Sequence, residues 1–182
     1  MADTYTQLYV HIVFSVKGRQ PLIPKKHKDE LHKYITGIIT NKKQKLIQIN
    51  SMPDHIHILV GITPDIAISD LVRDIKRNAT QFINRKRWTV GKFMWQEGFA
   101  AFTYSHSQLK DVIAYIENQE THHSHKTFKE EYLELLKRFN VSYNPKYVFD
   151  TEDVIETLVD VRINETLSIH SQPPKSPLSG GL

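Results

Sequence analysis

Apolar residues recur at every second position from Leu8 to Val16 (Leu8, Val10, Ile12, Phe14, Val16), with Tyr9, His11, Val13 and Ser15 between them. That period predicts a strand. Lys17-Gly18-Arg19-Gln20-Pro21 interrupts it. Beyond Pro24 the spacing changes to Leu31, Tyr34, Ile35, Ile38 and Ile39, which is helical. Lys45 to Ser51 alternates again and predicts a second strand. Met52-Pro53-Asp54 then turns the chain into a third, His55 to Ile62. Ser69 to Arg87 reads as an amphipathic helix, with Leu71, Val72, Ile75, Ala79, Phe82 and Ile83 on one face. Trp88 to Gly98 is irregular and aromatic. Phe99 to Tyr104 suits a fourth strand, Ser107 caps a helix from Gln108 to about His122, and Phe128 to Phe139 predicts one more.

The order strand, helix, two strands, helix, strand, helix is a split βαβ pattern. It predicts an α+β fold, a ferredoxin-like or RRM-like antiparallel sheet of four or five strands with helices mainly on one face. Residues 1–149 form the expected body. Residues 150–182 read as an acidic, then Ser/Pro/Gly-rich tail whose last twelve residues should be disordered. A length of 182 residues suits one domain with an appendage. The absence of cysteine excludes a disulfide scaffold, a thiolate zinc site and a cysteine nucleophile. No apolar run approaches the ~18–20 residues of a membrane span. The start of the chain has neither the basic nor the apolar region of an export signal. A soluble, cytoplasmic protein is expected. The net charge of +4 hides an asymmetry: residues 150–182 carry six acids and two bases, leaving 22 bases against 14 acids, or +8, on the body. A basic body favours a polyanionic partner.

The chemistry centres on Pro53-Asp54-His55-Ile56-His57. Residues two apart on a strand share a face, so His55 and His57 project together while Ile56, Ile58 and Val60 point to the core. Two imidazoles so placed can clamp a divalent metal. A bare His-x-His is equally compatible with two half-exposed histidines on a polar sheet face.

A hydrophobic residue between two histidines, after Pro-Asp, resembles the HUH motif of the single-tyrosine transposases of small bacterial insertion sequences, the IS200-like family. That family places a catalytic tyrosine on a later helix and a metal-ligating glutamine one turn further on. Here the matching stretch is Tyr115-Ile116-Glu117-Asn118-Gln119. The resemblance runs from Tyr5-Thr6-Gln7-Leu8 through Trp95-Gln96-Glu97-Gly98-Phe99 to about Phe149. It implies Tyr115 as nucleophile, and His55, His57 and Gln119 as ligands of Mg²⁺ or Mn²⁺. It also implies a 5′-phosphotyrosine intermediate and single-stranded DNA with hairpin ends as partner. A homodimer is the expected assembly, since such relatives often complete one subunit's site with the partner's tyrosine helix, although others act as monomers. Helix geometry agrees: Tyr115, Gln119 and His122 share a stripe beside the apolar one of Leu109, Val112, Ile113 and Ile116.

His11 belongs to the neighbouring strand and can reach the site if its face matches. His122 and His123 are substitutes for Gln119 as third ligand, though they and His125 read more readily as a solvated helix end. Arg73, Lys76, Arg77, Arg85, Lys86 and Arg87 beside Trp88, Phe93 and Trp95 suggest a phosphate-binding strip with stacking surfaces. Lys17, Arg19, Lys25 and Lys26 extend it. Three other readings compete: a domesticated relative that nicks palindromes, a non-catalytic single-strand-binding module, and a hydrolase that uses water. Tyr104 and Tyr132 are the alternative nucleophiles.

Overall fold

A computed structural model describes residues 5–124, 126–144 and 148. The compact unit runs from Met1 to Ser142. The acidic tail from Asp150 onward lies outside the described residues, as does His125. Among the described residues, four strands, β1 (Leu8–Ser15), β2 (Lys45–Ser51), β3 (His55–Ile62) and β4 (Ala100–Tyr104), form one antiparallel sheet in the order β2-β3-β1-β4. Five α-helices among the described residues accompany them: α1 (Lys28–Asn41), α2 (Ile68–Lys86), α3 (Leu109–Glu117), the single turn α4 (Gln119–His122) and α5 (Phe128–Arg138). Among the described residues, no helix is long and apolar enough to cross a membrane.

The expected α+β antiparallel fold is present, with the ferredoxin-like strand order. α1 and α2 cover one face. There Val10, Ile12 and Phe14 of β1 and Ile56, Ile58 and Val60 of β3 meet Leu31, Ile35 and Ile39 of α1 and Leu71, Ile75 and Ile83 of α2 in one apolar cluster. The opposite face, carrying His11, Val13, His57 and Leu59, is buried too. The shorter α3 packs on β2 and β3 there.

Two local details differ from the pattern-based expectation, and both have physical causes. The helix expected from Gln108 to about His122 is broken at Asn118. Buried Asn50 of β2 donates its Nδ2 to the carbonyls of Ile116 (2.6 Å) and Glu117 (3.2 Å), occupying acceptors that an unbroken helix would use itself. Phe93 and Trp95, expected as stacking surfaces for bases, lie in the core, where Trp95 meets Phe14 and Phe93 edge-on at 4.9 Å. The irregular aromatic segment plugs the end of the apolar layer.

Candidate metal and nucleophile site

The site lies on the second face of the sheet. The register pairs Val13 with His57 and Ser15 with His55, which brings β1 and β3 side by side under α3 and α5. His55 is 1% and His57 0% exposed, which excludes the half-exposed reading. Two further donors join them. His123 follows α4, and Glu131 sits on α5, 2% exposed. One ligand atom from each of His55, His57, His123 and Glu131 falls within 4.8 Å of all the others. Glu131 Oε2 is 2.9 Å from His123 Nε2, 3.6 Å from His57 Nε2 and 3.8 Å from His55 Nε2.

Local sequence explains why α5 delivers a carboxylate here. Thr127 and Glu130 form a capping box that fixes the start of the helix, and Phe128 stacks on His55 at 4.2 Å. One turn later, Glu131 shares the buried face with Phe128 and Leu135.

Each imidazole is anchored through Nδ1 and offers Nε2 to the cluster. His55 Nδ1 bonds Asp54 Oδ1 at 2.7 Å, His57 Nδ1 meets His11 Nε2 at 3.0 Å, and His123 Nδ1 donates to the Lys126 carbonyl at 2.9 Å. This is how proteins orient metal-binding histidines. The three Nε2 atoms, Glu131 Oε2 and Gln119 Oε1 are all buried without a well-aligned hydrogen bond. Buried polar atoms are rarely left so, and the four from His55, His57, His123 and Glu131, which lie within 4.8 Å of one another, fit a cation.

Electrostatics agree with that reading. Burial pushes His57 down to about 4. Burial and then the neighbouring His57 hold His11 well below the ordinary imidazole range. Both rings are therefore neutral at pH 7, as a ligand and its support should be. Burial alone would raise Glu131, but hydrogen bonding to His123 and His57 outweighs it and holds the carboxyl far below its usual range. Glu131 is thus an anion beneath three imidazoles.

Tyr115 reaches the same carboxylate: its hydroxyl donates to Glu131 Oε1, and Gln119 Nε2 donates to that oxygen at 3.0 Å. The Tyr115 ring lies 6.0 Å from the His57 ring, edge-on. Burial, then the Glu131 charge, raises its phenol above the ordinary tyrosine range. Gln119 is completely buried beside the group. The tyrosine, the glutamine and both histidines expected from the sequence therefore meet in one place, with His11 behind them. His123, read from the sequence more readily as part of a solvated helix end, and Glu131, not singled out there, also face this cluster. A capping box opening a helix whose apolar stripe contains a glutamate was the signal that could have found Glu131.

The basic strip is less uniform than expected. Lys76 is half-buried, donates to the carbonyls of Gln96 (2.8 Å) and Gly98, and is pushed down to about 8 by burial. Arg73 pairs with Asp70 at 2.7 Å, Arg77 approaches Asp74 at 3.5 Å, and Lys86 pairs with Glu30 at 2.7 Å. Lys17, Arg85 and Arg87 are exposed, while Arg19 is half-buried. Trp88 stacks on His27 at 4.4 Å.

Residues 4–119 match the family model described as "Transposase IS200 like". The chain belongs to the IS200-like transposase family. It is 28% identical over 118 residues to the ISDra2 transposase TnpA of Deinococcus radiodurans, covering 62% of this chain and 84% of that one. A crystal structure of a candidate transposase from Deinococcus radiodurans aligns with a TM-score of 0.50 at 25% identity, over 65% of this chain and 95% of that one. A REP-associated tyrosine transposase bound to a REP hairpin shares the fold, with a TM-score of 0.53 at 15% identity over 68% of this chain and 73% of that one. The family match ends at Gln119, so His123 and Glu131 lie beyond it.

Proposed function

We propose that this transposase cleaves and rejoins single-stranded hairpin DNA through a 5′-phosphotyrosine on Tyr115, with a divalent cation such as Mg²⁺ or Mn²⁺. The observation that carries this reading is the placement of the Tyr115 hydroxyl on a carboxylate that also faces three imidazole nitrogens. A non-catalytic binding module has no use for a nucleophile in that position.

His55, His57 and Gln119 would hold the cation, which supplies Lewis-acid stabilisation of the charge that develops at a phosphodiester. The remaining work belongs to the chain. Tyr115 Oη attacks phosphorus, its bond to phosphorus forms as the bond to the 3′-oxygen breaks, and a free 3′-OH is released. Glu131 Oε1 is the nearest acceptor for the proton that leaves Tyr115. In rejoining, an incoming 3′-OH attacks the phosphotyrosine and Tyr115 departs, so the energy of the broken bond is kept and no nucleotide cofactor is needed. Asp54, His11 and the Lys126 carbonyl keep the imidazoles aimed. Tyr115 faces the histidines of its own chain, so we propose catalysis in cis, in a monomer or in each subunit of the expected homodimer.

The deciding experiment incubates the full chain with end-labelled single-stranded hairpin DNA and Mn²⁺ or Mg²⁺. A labelled, denaturant-resistant protein band should form, and peptide mapping should place the DNA on Tyr115. Cleavage without such a band would favour a hydrolase. A label on Tyr104 or Tyr132 would move the nucleophile.

A further inference from the structure

The two donors beyond the family match change the chemistry of the site. We propose that His123 and Glu131 turn it into a nitrogen-rich cage that takes a borderline transition cation of the Mn²⁺, Co²⁺ and Zn²⁺ class in preference to Mg²⁺, and takes it before any DNA arrives. The inference rests on the metal-dependent reading above and specifies its cation.

The donor set argues first. Two imidazoles and an amide oxygen leave most of a cation's shell to water and phosphate, which suits Mg²⁺, an ion that keeps several waters. Three imidazoles and a carboxylate present a different field. Imidazole favours the later first-row metals, whereas Mg²⁺ prefers oxygen throughout. Geometry argues next. Two metal–ligand bonds of about 2.1 Å laid end to end span about 4.2 Å, and the four donor atoms lie within 4.8 Å of one another. Donors opposed across the ion would need to approach by about 0.6 Å, and tetrahedral ones, about 3.4 Å apart, by rather more, so side-chain movements of about 1 Å or less would close the shell. Preorganisation argues third, because Asp54, His11 and the Lys126 carbonyl already orient the three rings without DNA.

The competing account is a plain buried ion pair between protonated His123 and Glu131. It explains their 2.9 Å approach. It leaves Nε2 of His55 and Nε2 of His57 buried and unsatisfied, which a cation would resolve.

The test uses the full 182-residue chain, stripped with chelator and free of DNA. Titration calorimetry with ZnCl₂, CoCl₂, MnCl₂ and MgCl₂ should give one site, at least about 100-fold tighter for Zn²⁺ and Co²⁺ than for Mg²⁺. Bound Co²⁺ should show the intense visible bands of a four- or five-coordinate centre. His123→Ala and Glu131→Gln should each weaken Co²⁺ binding by about 10-fold or more and shift those bands. Glu131→Gln is nearly isosteric, so it keeps the test valid should His123→Ala misfold. Equal affinities for Mg²⁺ and Zn²⁺, or a Co²⁺ spectrum indifferent to both substitutions, would overturn the cage while leaving the His55–His57–Gln119 reading intact. The absence of any cation binding without DNA would also overturn it, and Mn²⁺- or Mg²⁺-dependent DNA cleavage would then still support the proposed function. If His55→Ala also left cleavage intact, that reading would fall as well.

Discussion

The two faces of the sheet are built from alternate residues of the same strands, are almost equally buried, and do opposite things. Toward α1 and α2, β1 and β3 present Val10, Ile12, Phe14, Ile56, Ile58 and Val60, which join one apolar cluster with Lys76 over the Phe14 ring at its edge. Toward α3 and α5 the same strands present His11, His55 and His57, which meet Gln119, Tyr115, His123 and Glu131. The first face gains from removing hydrocarbon from water. The second desolvates polar groups and leaves six of their donor or acceptor atoms unsatisfied, which costs stability unless something binds. Fold and chemistry are thus separated by a single-residue offset along each strand.

That separation is most exposed at the proposed nucleophile, Tyr115. Tyr115→Phe keeps the ring and its packing and removes only the atom that can form the adduct. Strand cleavage and the DNA-linked protein band should fall below detection, with the melting temperature nearly unchanged. A variant that still forms the adduct on another residue would show that the polar face does not depend on this tyrosine.

The apolar face should respond the other way. Ile58 is fully buried in the apolar cluster and pairs across the strands with Ile12, and Ile58→Ala should cost about 2–5 kcal/mol of stability. Cleavage per folded molecule should stay near wild type. If denaturant unfolding shows Ile58→Ala and His57→Ala destabilising equally in chelator, the second face is an ordinary core and the comparison collapses.

A cation should shift the balance of the polar face alone. At a free concentration of 100 times its dissociation constant, a bound ion adds about 2.7 kcal/mol. Thermal melts of wild type and Ile58→Ala should rise in parallel on adding Mn²⁺ or Zn²⁺ and fall again with chelator. His57→Ala should not respond. A parallel rise in His57→Ala would place the ion elsewhere.

Behind the proposed ligands, His11 is buried with its Nε2 3.0 Å from His57 Nδ1. His11→Phe preserves a planar ring but removes the hydrogen-bond partner, and supports of this kind are typically worth 10–100-fold in metal affinity. The expected result is that loss by calorimetry, with Tyr115 still competent at saturating cation. Unchanged affinity would reduce His11 to packing.

These contrasts also show what could be read from the chain. The period-2 runs set the four strands, and the offset between Ile56-x-Ile58 and His55-x-His57 divided core from site, because strand alternation is a geometric rule with few exceptions. Tyr115 and Gln119 were reachable through their spacing and the family resemblance. His123 and Glu131 were not, because they come from separate elements that only packing brings under β3. Phe93 and Trp95 misled for a related reason: aromatic residues beside arginines suit base stacking and core plugging alike, and only burial separates them. The break at Asn118 was hidden as well, since it depends on Asn50, 68 positions earlier in the chain.

The smallest effects belong to the exposed cations, where neither face is disturbed. Arg73, Arg77 and Lys86 already have carboxylate neighbours, and Lys76 holds two backbone carbonyls. Phosphate contact should therefore fall mainly to Lys17, Arg85 and Arg87. A lysine or arginine that neutralises one phosphate of a single strand contributes about 0.7 to the slope of log affinity against log salt. Arg85→Ala and Arg87→Ala should each weaken hairpin binding several-fold at low salt, flatten that slope by roughly this amount, and leave cation affinity and melting temperature alone. Fluorescence anisotropy across a salt series measures all of this. If Arg73→Ala flattens the slope as much as Arg85→Ala does, its pairing with Asp70 does not withhold it from DNA and the strip runs the length of α2. If neither changes the slope, the DNA lies on another surface.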